Sequence, residues 1–311
     1  MIKNVKNIRL LVFLVILIMV YVSLKFFKNT SRSKSFRQEL VQIDTSRVSK
    51  MVITKSGELF QVVKDGGSWS VSISDNKNVE ATASSVRNAL GTLLSIQPDR
   101  IATRDPDKWS EYQVDTTGTR VQIFEGDKNT LDLIIGRFGV QGQRQFYTFV
   151  RLEGDDEVYA ANDFMGISFP SEPKSFRNSR FLQMETDSIY QIIFKYPADS
   201  SYILTRRDSV WYIGSQPADS ASVAGYLSDL RYISSSEFVD DVDPNTLINP
   251  IYKVEIETKG GENQTIEAYR HPEYDFIFHS SYNSIAYFSD EKLNSRIFKG
   301  MDSLLNSAGK E

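Results

Sequence analysis

Chemistry in a protein needs nucleophiles, titratable groups or metal ligands spaced so that they can meet. This 311-residue chain has no cysteine and two histidines, His271 and His279. Without cysteine there is no thiol nucleophile, no thiolate zinc site, no iron–sulfur ligation and no disulfide. The histidines stand eight residues apart, which would aim both at one face of an unbroken strand, but Pro272 and Glu273 interrupt it. Glu267 or Asp275 could be imagined beside them around a metal. No recognised ligand spacing is present, and two surface or edge-strand histidines are expected instead. The run Asp240-Asp241-Val242-Asp243-Pro244-Asn245 is the best cation candidate. Asp241, Asp243 and Asn245 match the first three ligand places of a calcium loop. The required glycine, however, falls on Thr246, and the twelfth place holds Tyr252 rather than a bidentate Glu. A turn with solvated carboxylates is the better reading, and Asp155-Asp156-Glu157 reads as a hairpin tip.

Gly136-Arg137-Phe138-Gly139-Val140-Gln141-Gly142 is glycine-rich but lies between two strand patterns. A phosphate-cradling loop leads from a strand into a helix and carries a lysine, and neither condition holds. The stretch reads as a flexible hairpin loop with Arg137 and Arg144 as contact residues. Ser234-Ser235-Ser236 has no Gly-x-Ser-x-Gly elbow and no base beside it. No pair of carboxylates is singled out for glycoside hydrolysis. The sequence therefore assigns no catalytic, cofactor-binding or metal-ligating residue, and a non-enzymatic protein is expected. Tyr269, Tyr274, Phe276, Phe278, Tyr282, Tyr287 and Phe288 offer another route. Alternation sends about half of them into a core, and the rest could present a platform to a protein or glycan.

Whatever these residues do depends on the elements that hold them. Near the N-terminus, fifteen uncharged residues separate Arg9 from Lys25, and twelve of them are Leu, Ile, Val or Phe. Ile8 to Phe27, at about 1.5 Å per residue, reaches roughly 30 Å, the thickness of a bilayer's hydrocarbon core. A signal peptide would show a small-residue cleavage site after the apolar run, and a core helix would show a polar face. Neither is visible, so an uncleaved span in contact with the lipid bilayer is expected. Lysines and arginines flank it on both sides and do not settle orientation. A short N-terminal tail inside and a translocated C-terminal body is the expectation. That localises the chain to the inner (cytoplasmic) membrane.

Charge divides unevenly. Residues 1–37 hold eight Lys or Arg and no Asp or Glu, so they carry +8. The whole chain is −4, leaving −4 − 8 = −12 on residues 38–311. An acidic body argues against nucleic acid as a partner.

From Val48 the pattern is strand-like, and Trp69 to Ile73 alternates strictly. Val86, Ala89, Leu90, Leu93 and Leu94 form one helical stripe, with Thr82 placed to cap it. Strands resume from Arg120 to Ala161. The order then repeats: a strand with Trp211, Asp219 as a cap, and Val223, Tyr226, Leu227 and Leu230 in the stripe at a constant offset of 137 from the first. Glu237-Phe238-Val239 parallels Arg100-Ile101-Ala102. A last helix with Leu293, Ile297, Met301, Leu304 and Leu305 on one face is capped by Asp290. The expected fold is α+β: an N-terminal single transmembrane helix followed by two tandem antiparallel-sheet-plus-helix modules. Its parts are a cytoplasmic tail (1–7), a transmembrane helix (8–27), a basic stalk (28–46), a first module (47–185) and a second (186–311).

The Trp69 strand, the helix from Ala83 to Leu94, the Tyr112 region, Leu133-Ile134-Ile135-Gly136, the Tyr147 strand, Val158-Tyr159 and Phe176-Arg177-Asn178-Ser179-Arg180-Phe181 follow one order. That order resembles an uncharacterised bacterial membrane-anchored domain family, often encoded beside gliding-type ABC transporter permease and auxiliary proteins. The family's usual Arg-Asp-Lys stands here as Arg177-Asn178-Ser179. The resemblance implies a membrane-tethered accessory protein that binds other proteins, an ABC transporter permease or auxiliary subunit among them. The alternative is an envelope glycan or peptide sensor with a cleft between its two repeats.

Overall fold

The computed structural model describes residues 36–305 apart from 75–76 and 143–144. The strands are β1 (Val48–Lys55), β2 (Glu58–Asp65), β3 (Ser68–Ser74), β4 (Lys77–Ala81), β5 (Gln97–Thr103), β6 (Thr119–Glu125), β7 (Lys128–Gln141), β8 (Gln145–Leu152), β9 (Val158–Asn162) and β10 (Arg180–Gln183). They continue with β11 (Ile189–Lys195), β12 (Tyr202–Arg207), β13 (Val210–Ile213), β14 (Gln216–Pro217), β15 (Tyr232–Ser234), β16 (Tyr252–Thr258), β17 (Gln264–Arg270), β18 (Phe276–Ser280) and β19 (Tyr287–Phe288). The helices are α1 (Ala83–Leu94), α2 (Trp109–Tyr112), α3 (Ser220–Arg231) and α4 (Glu291–Ile297). Among the described residues one sheet runs β4-β3-β2-β1-β6-β7-β8-β9-β5 and another β14-β13-β12-β11-β16-β17-β18-β19, with β10 and β15 paired separately. Eight strands of the two large sheets thus follow one order, and only the first sheet adds a ninth, β5.

This corrects the expectation of an α+β chain with a transmembrane helix and two sheet-plus-helix modules. The described residues are dominated by large antiparallel sheets. None of their helices is long and apolar enough to cross a membrane. Residues 8–27 lie outside the described residues. Part of the reason is that stretches with loop-like composition continue as strand. β7 extends through the glycine-rich stretch to Gln141 and stays paired with β8 through Val140↔Phe146 and Gln141↔Gln145, with an irregularity between Ile135 and Phe138. Gly136 and Gly139 are small because neighbours come close. A Cβ on Gly136 would lie 2.4 Å from the Tyr112 carbonyl oxygen, and one on Gly139 2.7 Å from the Tyr147 ring.

The chain divides into two compact units, one comprising the residues up to Leu59 with Asn88–Phe169, the other Phe60–Arg87 with the chain from Pro170 onward. In the first, Val114, Ile134, Phe149, Val158 and Ala160 form a cluster against which Trp109 and Tyr112 pack. Leu40 and Val41, in the expected stalk, are buried, and Arg37 pairs with Asp155 at 2.9 Å. In the second unit a larger core gathers Ile192, Phe194 and Leu204 with Val254, Ile256, Ile266 and Phe278, covered by Val223, Tyr226 and Leu230 of α3 and Leu293 and Ile297 of α4.

The helix stripes sit where a 3.6-residue period puts them. Val86, Ala89, Leu90 and Leu93 are buried, while Leu94 is 44% exposed. Thr82 Oγ1 accepts the Ser85 N–H at 3.3 Å, Asp219 that of Ser222 at 2.8 Å and Asp290 that of Lys292 at 3.0 Å. The last helix is shorter than its stripe. It stops at Ile297, and Met301–Ser303 form a separate 3-10 turn.

Candidate functional site

Two strand edges in the second unit bound a cleft. Among the described residues β4 is the last strand of its sheet and pairs only with β3, so alternate N–H and C=O groups face away from the sheet. Residues 237–239 run antiparallel to β19 through a bridge between Phe238 and Phe288. The Val239 N–H donates to Tyr287 O and the Ser289 N–H to Glu237 O, both at 2.9 Å. These bonds flank Phe238, so its own N–H and C=O point to the opposite side. No backbone group among the described residues takes them up. The cleft, of about 280 Å³, is lined by Lys77, Val79 and Glu80 from β4, by Phe238 and Asp240, and by Ile285.

Arg177 braces one wall. Its guanidinium donates two bonds to the Asp240 carboxylate, 2.6 Å to Oδ2 and 3.0 Å to Oδ1, and lies 3.7 Å over the Phe238 ring. The Arg177 side chain is 8% exposed and that of Asp240 30%. A bidentate, stacked arginine holds both the direction and the height of its partner. The Lys77 ammonium donates to the Asp240 carbonyl oxygen. With the arginine charge met, Lys77 and Glu80 leave the lining close to neutral. That suits an extended polypeptide better than a phosphate or a nucleic acid.

The residues singled out for chemistry do not converge. His271 follows the end of β17, where its Nδ1 accepts the Glu273 N–H at 3.2 Å. His279 is in β18, with Nδ1 3.8 Å from the Glu267 carboxylate and its ring stacked on Tyr287 at 4.8 Å. Among the described residues no group of three or more His, Asp or Glu is arranged to hold a metal. The acidic run is divided among separate partners. Asp240 holds Arg177, Asp241 accepts the Tyr274 hydroxyl at 2.8 and 2.9 Å, and Asp243 accepts the Asn245 N–H at 3.0 Å. Ser235 is buried and accepts the Glu237 N–H at 3.2 Å. Arg137 lies in strand rather than loop, its guanidinium 5.6 Å over the Phe149 ring. Arg144 lies outside the described residues.

The aromatic-rich meander divides by strand alternation. Phe278 and Phe288 are buried in the core and Phe276 packs against it. Tyr269 and Tyr287 share the opposite face with a polar row across β11, β16, β17 and β18. Lys195 meets Glu255 at 2.7 Å, Lys253 meets Glu255 at 3.4 Å and Glu267 at 3.3 Å, and Tyr269 donates to Glu267 at 2.8 Å. The Lys195 hydrogen bond, more than any other contact, holds the Glu255 carboxyl below its ordinary range.

Sequence reading missed the Arg177–Asp240 pair and the open edge at Phe238. Arg177 and Asp240 stand in separate motifs of the sequence, and a separation of 63 residues carries no pairing signal. One protein-family model, described as a domain of unknown function (DUF4340), matches residues 72–250. No curated protein matches the chain, and no solved structure does.

Proposed function

The chain belongs to the DUF4340 family, and we propose that it is a non-catalytic accessory protein that binds another protein by strand addition at the cleft of its second unit. The supporting observation is the pair of open edges, β4 and Phe238, on one cleft with a nearly neutral lining. An edge strand offers main-chain hydrogen bonds to an incoming strand, and the side-chain pockets beside it supply selectivity. Val79, Phe238 and Ile285 provide apolar contacts, and Ile285 is 66% exposed. The partner in this reading is a subunit of an ABC transporter complex of the envelope, as the family resemblance implies. Placement at the inner membrane with the body outside the cytoplasm belongs to the same proposal. It rests on the apolar sequence of residues 8–27.

A second reading, a sensor that holds a short peptide or glycan in the same cleft, is favoured by the cleft's volume. About 280 Å³ is close to the lower bound of small-ligand pockets. A photoreactive phenylalanine derivative at Ile285, used in native membranes, tests the leading reading. Val140, 61% exposed on β7, serves as the control position. An adduct with a transporter subunit from position 285 and not from position 140 is the expected result. Equal labelling from both positions, or none from 285, refutes it. Thermal stabilisation of the purified chain by an envelope glycan or peptide without any protein partner selects the second reading.

A further inference from the structure

A second cavity in the same unit, of about 450 Å³, is lined by Tyr196, Tyr252, Phe298, Asp199, Asp302 and other residues among which there is no Lys, Arg or His. It is distinct from the strand-edge cleft and shares no lining residue with it. Three of its residues are aromatic and stand at steep mutual angles. The Tyr196 and Tyr252 ring centroids are 5.3 Å apart at 88°. Tyr252 and Phe298 are 5.7 Å apart at 43°, and Tyr196 and Phe298 6.3 Å apart at 55°. Tyr196 and Tyr252 meet edge to face and Phe298 turns one face to Phe278, 6.0 Å away at 26°, so the three rings form a corner whose remaining faces carry the negative lobe of the aromatic quadrupole.

Hydrogen bonds hold the corner together. The Tyr196 and Tyr202 hydroxyls both donate to the Lys299 carbonyl oxygen, at 3.0 and 2.7 Å. That ties the hairpin of β11 and β12 to the chain that follows α4. Asp199 and Asp302 are exposed, and add two carboxylates to the lining.

Elsewhere in the second unit, aromatic faces carry the protein's own cations. Arg177 lies over Phe238 at 3.7 Å, Arg270 over Phe276 at 4.8 Å and Arg207 over Tyr212 at 5.2 Å. Among the described residues none lies over Tyr196, Tyr252 or Phe298. Lys299, adjacent in sequence, donates its ammonium to the Ser295 carbonyl at 2.7 Å. The aromatic corner and the two carboxylates both favour a cation, and the lining supplies none.

From this geometry we infer that the cavity binds a small organic ammonium ion, quaternary or primary, with the aromatic corner receiving the cationic head and the carboxylates of Asp199 and Asp302 attracting it. A metal ion fits the lining less well, because it offers only two carboxylates and, among the described residues, no group of three or more His, Asp or Glu is arranged to hold one. A neutral ligand could donate hydrogen bonds to the carboxylates, but it would lack the charge attraction to them and to the ring faces.

Titration of the full chain with choline, followed by calorimetry and by saturation transfer to its N-methyl protons, tests the assignment. The uncharged isostere 3,3-dimethylbutanol, matched in shape, is the control. Choline is expected to bind at least about tenfold more tightly than the alcohol, the difference that a partly desolvated cation–π contact supports. Asp199→Asn with Asp302→Asn alters two exposed groups, and asparagine tolerates the left-handed backbone of Asp199, φ 57°. The double variant is expected to keep its melting temperature and weaken choline binding by about fivefold, an effect that added salt reproduces in the parent chain. Tyr252→Leu is expected to weaken it by about tenfold or more. Equal binding of choline and the alcohol, no binding of choline at millimolar concentration, or a double aspartate variant indistinguishable from the parent overturns the inference.

Discussion

Replacing Arg177 with methionine keeps an unbranched apolar stem against Phe238 and removes the guanidinium. Two bonds to the Asp240 carboxylate, of 2.6 and 3.0 Å, disappear, and so does the contact over the Phe238 ring. A hydrogen bond to a charged group contributes about 1.5–3 kcal/mol net, and a cation–π contact from so buried an arginine about 2. Asp240 keeps 30% of its side chain in water, so part of its solvation is recovered when the arginine leaves. The expected loss is therefore about 2–3 kcal/mol rather than the sum of the parts. Urea unfolding of the full chain reads this directly. With Trp109 changed to phenylalanine, the fluorescence comes from Trp69 and Trp211, both in the second unit. The midpoint should fall without a change in slope. Asp240→Asn leaves a guanidinium only 8% exposed without its counter-charge, so it should cost at least as much, about 3 kcal/mol, and the double variant should show a coupling of at least about 1 kcal/mol. A loss below about 0.5 kcal/mol for Arg177→Met, or additive single effects, would refute the view that this pair braces the cleft wall.

Other expectations follow from individual contacts. Gly136→Ala places a Cβ 2.4 Å from the Tyr112 carbonyl and 2.6 Å from Val114 Cγ1, so it should destabilise the first unit by about 1–3 kcal/mol in thermal unfolding. Leu93→Ala, at a fully buried position of the α1 stripe, should cost about 2–5 kcal/mol in the same assay. The Glu255 carboxyl is held below its ordinary 4.5 chiefly by the Lys195 hydrogen bond. Its contribution is present above the unfolded value and lost as pH falls towards the folded one. Glu255→Gln should flatten the acid limb of the stability profile, and an unchanged limb would contradict the assignment. Burial pushes the Tyr226 phenol well above its ordinary 10.0. Its contribution is present below that value and lost as pH rises above it, so tyrosinate absorbance from Tyr226 should appear together with alkaline unfolding and not before it.

Much of the local structure was legible in the sequence because it depends on neighbours along the chain. Val86, Ala89, Leu90 and Leu93 declare a buried helical face, and Thr82, Asp219 and Asp290 declare helix starts, since both signals act within one turn. Gly136 to Gly142 misled because glycine marks a turn and a close approach equally well. Only the Tyr112 carbonyl and the Tyr147 ring, brought there by other elements, distinguish the two. The balance of layers misled as well. A stripe tells which face of a helix is buried, not how many strands the sheets of the same chain contain.

The candidate sites lay beyond that reach. Arg177 and Asp240 are 63 residues apart, and Tyr196 and Phe298 are separated by most of the second unit. No local propensity specifies that such residues meet. From composition and spacing alone the chain declares an absence of thiol chemistry, an acidic body, capped helices and alternating strands, because each is a property of single residues or of residues within a turn of one another. The tertiary fold alone decided that Phe238 keeps an open backbone edge, that Arg177 spends its charge on Asp240, and that three rings and two carboxylates share a cavity without a cation of their own. Those outcomes depend on which strand ends last in a sheet and on side chains that only long-range packing brings within reach.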